Sequence, residues 1–172
     1  RCHPTKTCYL VFGNKSYKSK VKEELDDLPL RFGDFVMKEK ESDVHLGDVI
    51  HSGGLAASVE ATIRRRIPVV KAMMFEAAAI LSDFRMQAVA GMAGAWDMWE
   101  RQMVPKLLAN CGSWVGSQQQ HYDTLDGLQH LYCRLVYSSP DSTPLPALRA
   151  EAGLWSMKYR IWTEKICLVG KI

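Results

Sequence analysis

The sequence predicts an α+β fold: a strand-rich first third containing a short antiparallel hairpin, followed by an α-helical bundle. Three observations carry that prediction. Near the start, Thr5, Thr7, Tyr9, Val11 and Phe12 give strand chemistry closed by Gly13-Asn14, and a looser alternation follows over residues 34–50. From Leu55 the apolar residues recur every fourth position, at Leu55, Val59, Ile63 and Ile67. At the change stands the doublet Gly53-Gly54, the chemistry of a sharp corner between an extended segment and a helix.

Taken in order, "TKTCYLVFGN" has strand composition bounded by Pro4 and by Gly13-Asn14. "KSYKSKVKEELDDLPL" mixes both signs of charge and predicts a short surface helix or loop ending at Pro29. "DFVMKEKESDVHLGDVI" alternates around the polar centre "KEKES", which predicts a hairpin turning there. After Leu55 comes a helix that Pro68 should kink or restart, because the ring crowds the Arg64 carbonyl at a cost of roughly 3 kcal/mol. A second helical segment reaches Leu81, and a third, Met86 to Leu108, carries Val89, Met92, Trp96, Trp99, Met103 and Leu107, with Pro105 bending its end. "NCGSWVGS" is a turn, with Ser117 and Gln120 at capping-box spacing for the next helix. That helix stripes Leu125, Leu128, Tyr132 and Leu135 inward and turns Asp126, Gln129 and Arg134 outward. "SSPDSTPLP" reads as a proline-stiffened linker, and "LWSMKYRIWTEKICLVGKI" as a last amphipathic helix.

At 172 residues and 47% apolar composition, the chain is long enough to bury a core. Its 22 basic and 19 acidic residues leave a formal charge of +3, too little for a global attraction to polyanions, so any such site must be local. The five cysteines, Cys2, Cys8, Cys111, Cys133 and Cys167, form no C-x-x-C pair and read as reduced thiols in an intracellular protein. The most apolar stretch, residues 67 to 84, is interrupted by Pro68, Lys71 and Glu76, so no membrane span is expected. The opening at Arg1, a few residues before a strand pattern, suggests an excerpt from a longer protein.

The candidate chemistry is sparse. Asp43, His45, Asp48 and His51 cluster in sequence, but six residues of extended chain at about 3.3 Å each hold the two histidines roughly 20 Å apart. Only a tight fold-back at Gly47 would bring them to one metal. Asp26-Asp27 lies among alternating charges and fits a solvated face better than a two-metal site. No G-x-S-x-G, Walker loop or H-E-x-x-H occurs. The run Arg64, Arg65, Arg66 is the densest positive charge, but on a helix three successive residues fan over roughly 200°. Arg64 and Lys71, seven residues apart, share a face suited to a phosphate backbone, with plain helix solvation as the alternative. Trp96, Trp99, Met92 and Met103 at helical spacing read as packing.

These landmarks resemble a known family. "HPTKTCYLVFGN" is similar to the lysine-introduced strand, motif D, that follows the catalytic hairpin in reverse transcriptases of non-LTR (LINE-type) retrotransposons. "HLGDVI" resembles motif E, the aromatic-Leu-Gly primer grip. "SVEATIRRRIPVVKA", "ERQMVPKLLANCGSWVG" and "LDGLQHLYCRLVYSSPDSTPLPALRAEAGLWSMKYRI" look like the thumb and the region beyond it, so the likeness spans nearly the whole chain. Each block is weakly specific; their order and spacing make the resemblance.

The resemblance implies both a division of the chain and a set of roles. Residues 1–53 would be the end of the palm, 54–139 a thumb-like helical domain and 140–172 a post-thumb linker with a C-terminal helix. Gly53-Gly54 would be the joint between palm and thumb. Lys6 would support catalysis by protonating the departing pyrophosphate. Leu46 and Gly47 would orient the primer end, and Arg64, Arg65 and Lys71 would contact phosphates of an RNA/DNA template-primer duplex. His45 departs from the family, standing where an aromatic residue is usual. The aromatic-any-Asp-Asp hairpin that holds two magnesium ions is expected upstream of Arg1, with the fingers and remaining palm. The fragment alone is therefore expected to bind no cofactor and not to polymerise. The rival reading is a non-catalytic helical protein–protein interaction module using the stripes Met92 to Leu107 and Leu125 to Leu135.

Overall fold

A computed structural model describes residues 7–82 and 84–170 and shows an α+β chain with a helical bundle. It divides into two compact units, Arg1–Thr62 and Ile63–Ile172.

The first unit holds three two-stranded pairs and a helix. β1 (Cys8–Tyr9) pairs in parallel with β4 (Lys38–Glu39), so the strand expected over "TKTCYLVFGN" is reduced to two residues. Between them runs α1 (Lys15–Asp27), capped by the Asn14 side chain, which accepts from the Tyr17 N–H at 2.8 Å. β2 (Arg31–Phe32) and β3 (Phe35–Val36) close around Gly33, whose φ of 61° suits the turn. β5 (Ser42–His45) and β6 (Asp48–His51) form the longest hairpin, with His45 opposite Asp48 and Ser42 opposite His51. Its turn is therefore Leu46-Gly47, whereas alternation had centred it on "KEKES". The local turn chemistry of Gly47 outweighs polarity, because a two-residue turn needs positive φ.

The chain then turns at Gly54, φ 99°, into α2 (Leu55–Ser82). Two side chains of the first α2 turns receive the hairpin: Ser58 Oγ accepts from the His51 N–H at 2.9 Å, and Thr62 Oγ1 accepts from the Val49 N–H at 2.8 Å. Val49 and Val59 are buried beside these bonds, while Leu55 is exposed and lies outside the stripe assigned to it. The unit boundary falls within α2, between Thr62 and Ile63.

In the second unit α2 passes through Pro68 without ending. Pro68 and Arg64 both lie at exposed positions of α2, where a helix adjusts locally around the ring without disturbing packed neighbours, and the interruption expected from the ring is not enforced. α3 (Phe84–Met98) departs from helical geometry at Gly91, φ 53°. A π turn, Trp99–Met103, leads into α4 (Val104–Leu108), with the Val104 N–H bonded back to the Trp99 carbonyl. Pro105 follows on the π turn, in a backbone that stays helical through Met103 and Val104, so the widened turn accommodates its missing N–H.

After a 3₁₀ turn (Cys111–Ser113) come α5 (Gln119–Tyr137), α6 (Leu145–Ala152) and α7 (Met157–Val169). α5 is capped by Gln118 with His121, one residue later than the spacing of Ser117 and Gln120 suggested. The core gathers Val70 and Met74 from α2, Trp99, Met103 and Leu107, Leu125 and Tyr132 from α5, and Met157 and Ile161 from α7. Tyr132 stacks on Trp99 with centroids 5.1 Å apart and donates its hydroxyl to the Ala95 carbonyl at 2.6 Å.

Gln129 corrects the outward reading of its face. It is fully buried, donating to the Trp155 carbonyl at 3.0 Å and accepting from Arg149 Nε at 2.7 Å. Asp126 pairs with Arg149 and accepts from the Met157 N–H at 2.9 Å. These polar residues look like a solvated face until α6, hidden inside the proline-rich tract, supplies their partners.

Candidate nucleic-acid interface

The first group of candidate residues lies at the tip of the β5–β6 hairpin. Leu46 is 82% exposed with φ 50°, and Gly47 follows with φ 89°. Glycine adopts such a conformation freely, whereas leucine gives up roughly 1–2 kcal/mol. Asn-Gly would serve the turn better, so a large apolar side chain is presented to solvent here at an energetic cost. Behind the tip, Lys40 and Asp43 pair at 3.0 Å. The hydrogen bond between them raises the Lys40 ammonium pKa and lowers that of the Asp43 carboxyl. His51 Nε2 lies 3.7 Å from a Glu41 carboxylate oxygen. The fold-back at Gly47 does occur, yet His45 and His51 sit at opposite ends of the hairpin register. Among the described residues, no group of three or more His, Cys, Asp or Glu is placed to hold a metal ion.

The second group lies on α2 in the other unit. Arg64, Arg65 and Lys71 are exposed. Arg64 and Lys71 fall within about 20° of one helix face and about 10 Å apart along the axis. Arg66 has a different task, donating to the carbonyls of Leu107 at 3.2 Å and Ala109 at 2.7 Å, with its guanidinium 5.6 Å from the Trp114 ring centre. It thereby satisfies the open C-terminal end of α4. The triple arginine thus separates into two outward cations and one inward brace. Lys6 lies outside the described residues.

Other reactive groups are withdrawn from chemistry. Burial pushes the Cys111 and Cys133 thiols up to about 11 and the Tyr132 phenol to about 12. The stripes weighed as protein-docking faces are largely taken up internally: Trp99, Met103, Leu107, Leu125, Leu128 and Tyr132 are buried, leaving Met92 half-exposed. Among the described residues, no helix is long and apolar enough to cross a membrane.

Sequence reasoning missed an exposed apolar stripe on and before α7: Trp155, Tyr159, Trp162, Ile166 and Val169. The 3-4-3 spacing from Tyr159 to Val169 was the available signal, but a second apolar face, Met157 and Ile161, shares the helix and fills the core. No protein-family model matches the chain, and neither a curated protein nor a solved structure shows significant similarity to it.

Proposed function

We propose that this chain is the closing palm hairpin and the thumb of an RNA-directed DNA polymerase similar to those of non-LTR retrotransposons, and that it grips the template-primer duplex. Leu46 carries this reading: a strained, solvent-presented leucine beside a positive-φ glycine fits a grip that packs against a primer sugar while the backbone approaches closely. The exposed cations Arg64, Arg65 and Lys71 supply phosphate contacts, with Arg64 and Lys71 about 10 Å apart along one helix face. Lys6 would assist pyrophosphate departure in the intact polymerase, and magnesium would be held there by aspartates of the upstream palm. No aromatic-any-Asp-Asp motif occurs in these residues, so this stretch alone binds duplex without extending it. Buried free thiols at Cys111 and Cys133 support an intracellular setting.

The test is binding of an RNA/DNA duplex across a salt series. The logarithm of affinity should fall linearly with the logarithm of salt, and the double variant Arg64→Ala/Lys71→Ala should flatten that slope by nearly two. Absent or salt-independent binding would favour the rival, a non-catalytic protein–protein interaction module. Magnesium-dependent nucleotide incorporation by these residues alone would overturn their assignment as a non-catalytic part.

A further inference from the structure

The aromatic half of the exposed stripe around α7 combines flat rings with a one-sided border of positive charge. Trp155, Tyr159 and Trp162 are 64%, 65% and 50% exposed. The Trp155 and Tyr159 ring centres lie 6.2 Å apart with their planes at 80°, edge to face, so each would offer a separate face to a base. Trp155 is held in place through its carbonyl, which accepts from the buried Gln129. Trp155 also lines a groove of about 590 Å³ with Val104, Pro105 and Leu108 of α4 and with Arg160 and Glu164 of α7.

Lys158 and Lys165 occupy one edge of this stripe. Lys165 Nζ lies 5.6 Å from the Trp162 ring centre and donates to Ser117 Oγ at 2.6 Å. Lys158 Nζ is 5.8 Å from the Tyr122 ring centre and 3.4 Å from Gln119 Oε1. The one carboxylate of α7, Glu164, is turned roughly 160° away from Trp162, and the charge of Arg160 is matched by Glu100. The Lys158–Lys165 edge is therefore cationic, while the opposite side, against Trp155, carries Glu164 and the matched pair Arg160–Glu100.

We propose that this face binds single-stranded nucleic acid, with bases stacking on Trp155, Tyr159 and Trp162 and phosphates following Lys158 and Lys165. Each base offers a π-face whatever its identity, so such a platform accepts a strand without reading its sequence. Charge complementarity selects a polyanion over a second copy of the chain: antiparallel pairing of two α7 helices on this stripe would set lysine edge against lysine edge. The choice of a polynucleotide over a lipid or protein partner also rests on the duplex-binding proposal. The residues used are different, so the two proposals fail separately.

The experiment is a fluorescence-anisotropy titration of the full chain against a labelled oligo(dT) of about twelve nucleotides. Trp155→Ala and Trp162→Ala should each weaken binding about ten-fold, while Trp162→Phe should keep most of the affinity. Lys158→Gln with Lys165→Gln should flatten the salt slope by about 1.4. Arg64→Ala/Lys71→Ala should leave oligo(dT) affinity unchanged; if it loses duplex affinity at the same time, both readings stand. Persistence of the Trp162 effect with no Arg64/Lys71 effect on duplex would sink only the duplex reading. Equal oligo(dT) affinity of Trp162→Ala and the parent chain would overturn the single-strand proposal. So would absent oligo(dT) binding combined with adsorption to phosphatidylserine vesicles, or with self-association that Trp162→Ala abolishes. Circular dichroism on Trp162→Phe and Trp162→Ala separates lost stacking from lost folding.

Discussion

The main-chain N–H of Val49 donates to the Thr62 hydroxyl at 2.8 Å, a side chain 1% exposed. Thr62→Val should leave that donor buried and unpaired, lowering stability by about 1–3 kcal/mol, whereas Thr62→Ser should be far milder. Urea denaturation would show a fall in midpoint at constant slope; equal midpoints for the two variants would refute the assignment.

Leu46 gives a prediction of opposite sign. Leu46→Asn, which suits the left-handed turn, should raise stability by about 1 kcal/mol. If the leucine grips a primer terminus, the same variant should weaken duplex binding. Thermal unfolding and duplex titration on one preparation test both; a variant gaining on both counts would remove the grip role.

The three neighbouring arginines should behave differently. Arg66→Met removes two carbonyl contacts at the end of α4 and the contact with Trp114, so it should cost about 1–3 kcal/mol of stability. Arg65→Ala, at an exposed position, should stay within about 0.5 kcal/mol. A melting-temperature comparison decides between this division of labour and three equivalent surface charges.

Buried Gln129 should tolerate substitution poorly. Gln129→Leu would strand Arg149 Nε and the Trp155 carbonyl and should cost about 2–3 kcal/mol. Proteolysis under native conditions should then cut first between α5 and α7, a result that mapped fragments would reveal.

The thiols of Cys111 and Cys133 give a pH dependence. Their folded pKa values are raised from an ordinary 9.0 to about 11, so the unfolded chain releases these protons first. The stabilisation is complete below pH 9 and is lost as the pH rises toward 11. Denaturant midpoints should drop over that window, and Cys111→Ala/Cys133→Ala should shrink the drop. At neutral pH a thiol reagent should modify exposed Cys167 well before either buried cysteine.

The change of period at Leu55 and the glycine corner announced the passage from hairpins to helices, because local backbone preference and apolar spacing agree there. Features depending on distant partners were harder to read. Gln129 and Asp126 resemble solvated residues until Arg149 and the backbone around Trp155 arrive from α6 and the start of α7. Pro68 looks like a helix end because the missing donor and the ring argue locally for one, and sequence does not show that the helix continues through an exposed position. At the candidate site the turn at Gly47 was legible as a possible fold-back, and Arg64 with Lys71 as a shared face. The distinct role of Arg66 was not, since its acceptors lie about forty residues downstream.

The burial of Trp99 against Tyr132, set beside the outward rings of Trp155 and Trp162, divides the indoles into two optical populations. A soluble quencher such as acrylamide should reach one population and spare the other. The near-ultraviolet dichroism of the enclosed pair then reports whether the interior remains ordered while emission from the outer rings registers an arriving ligand. The molecule therefore carries its own unlabelled indicator, able to separate occupancy of its surface from collapse of its interior.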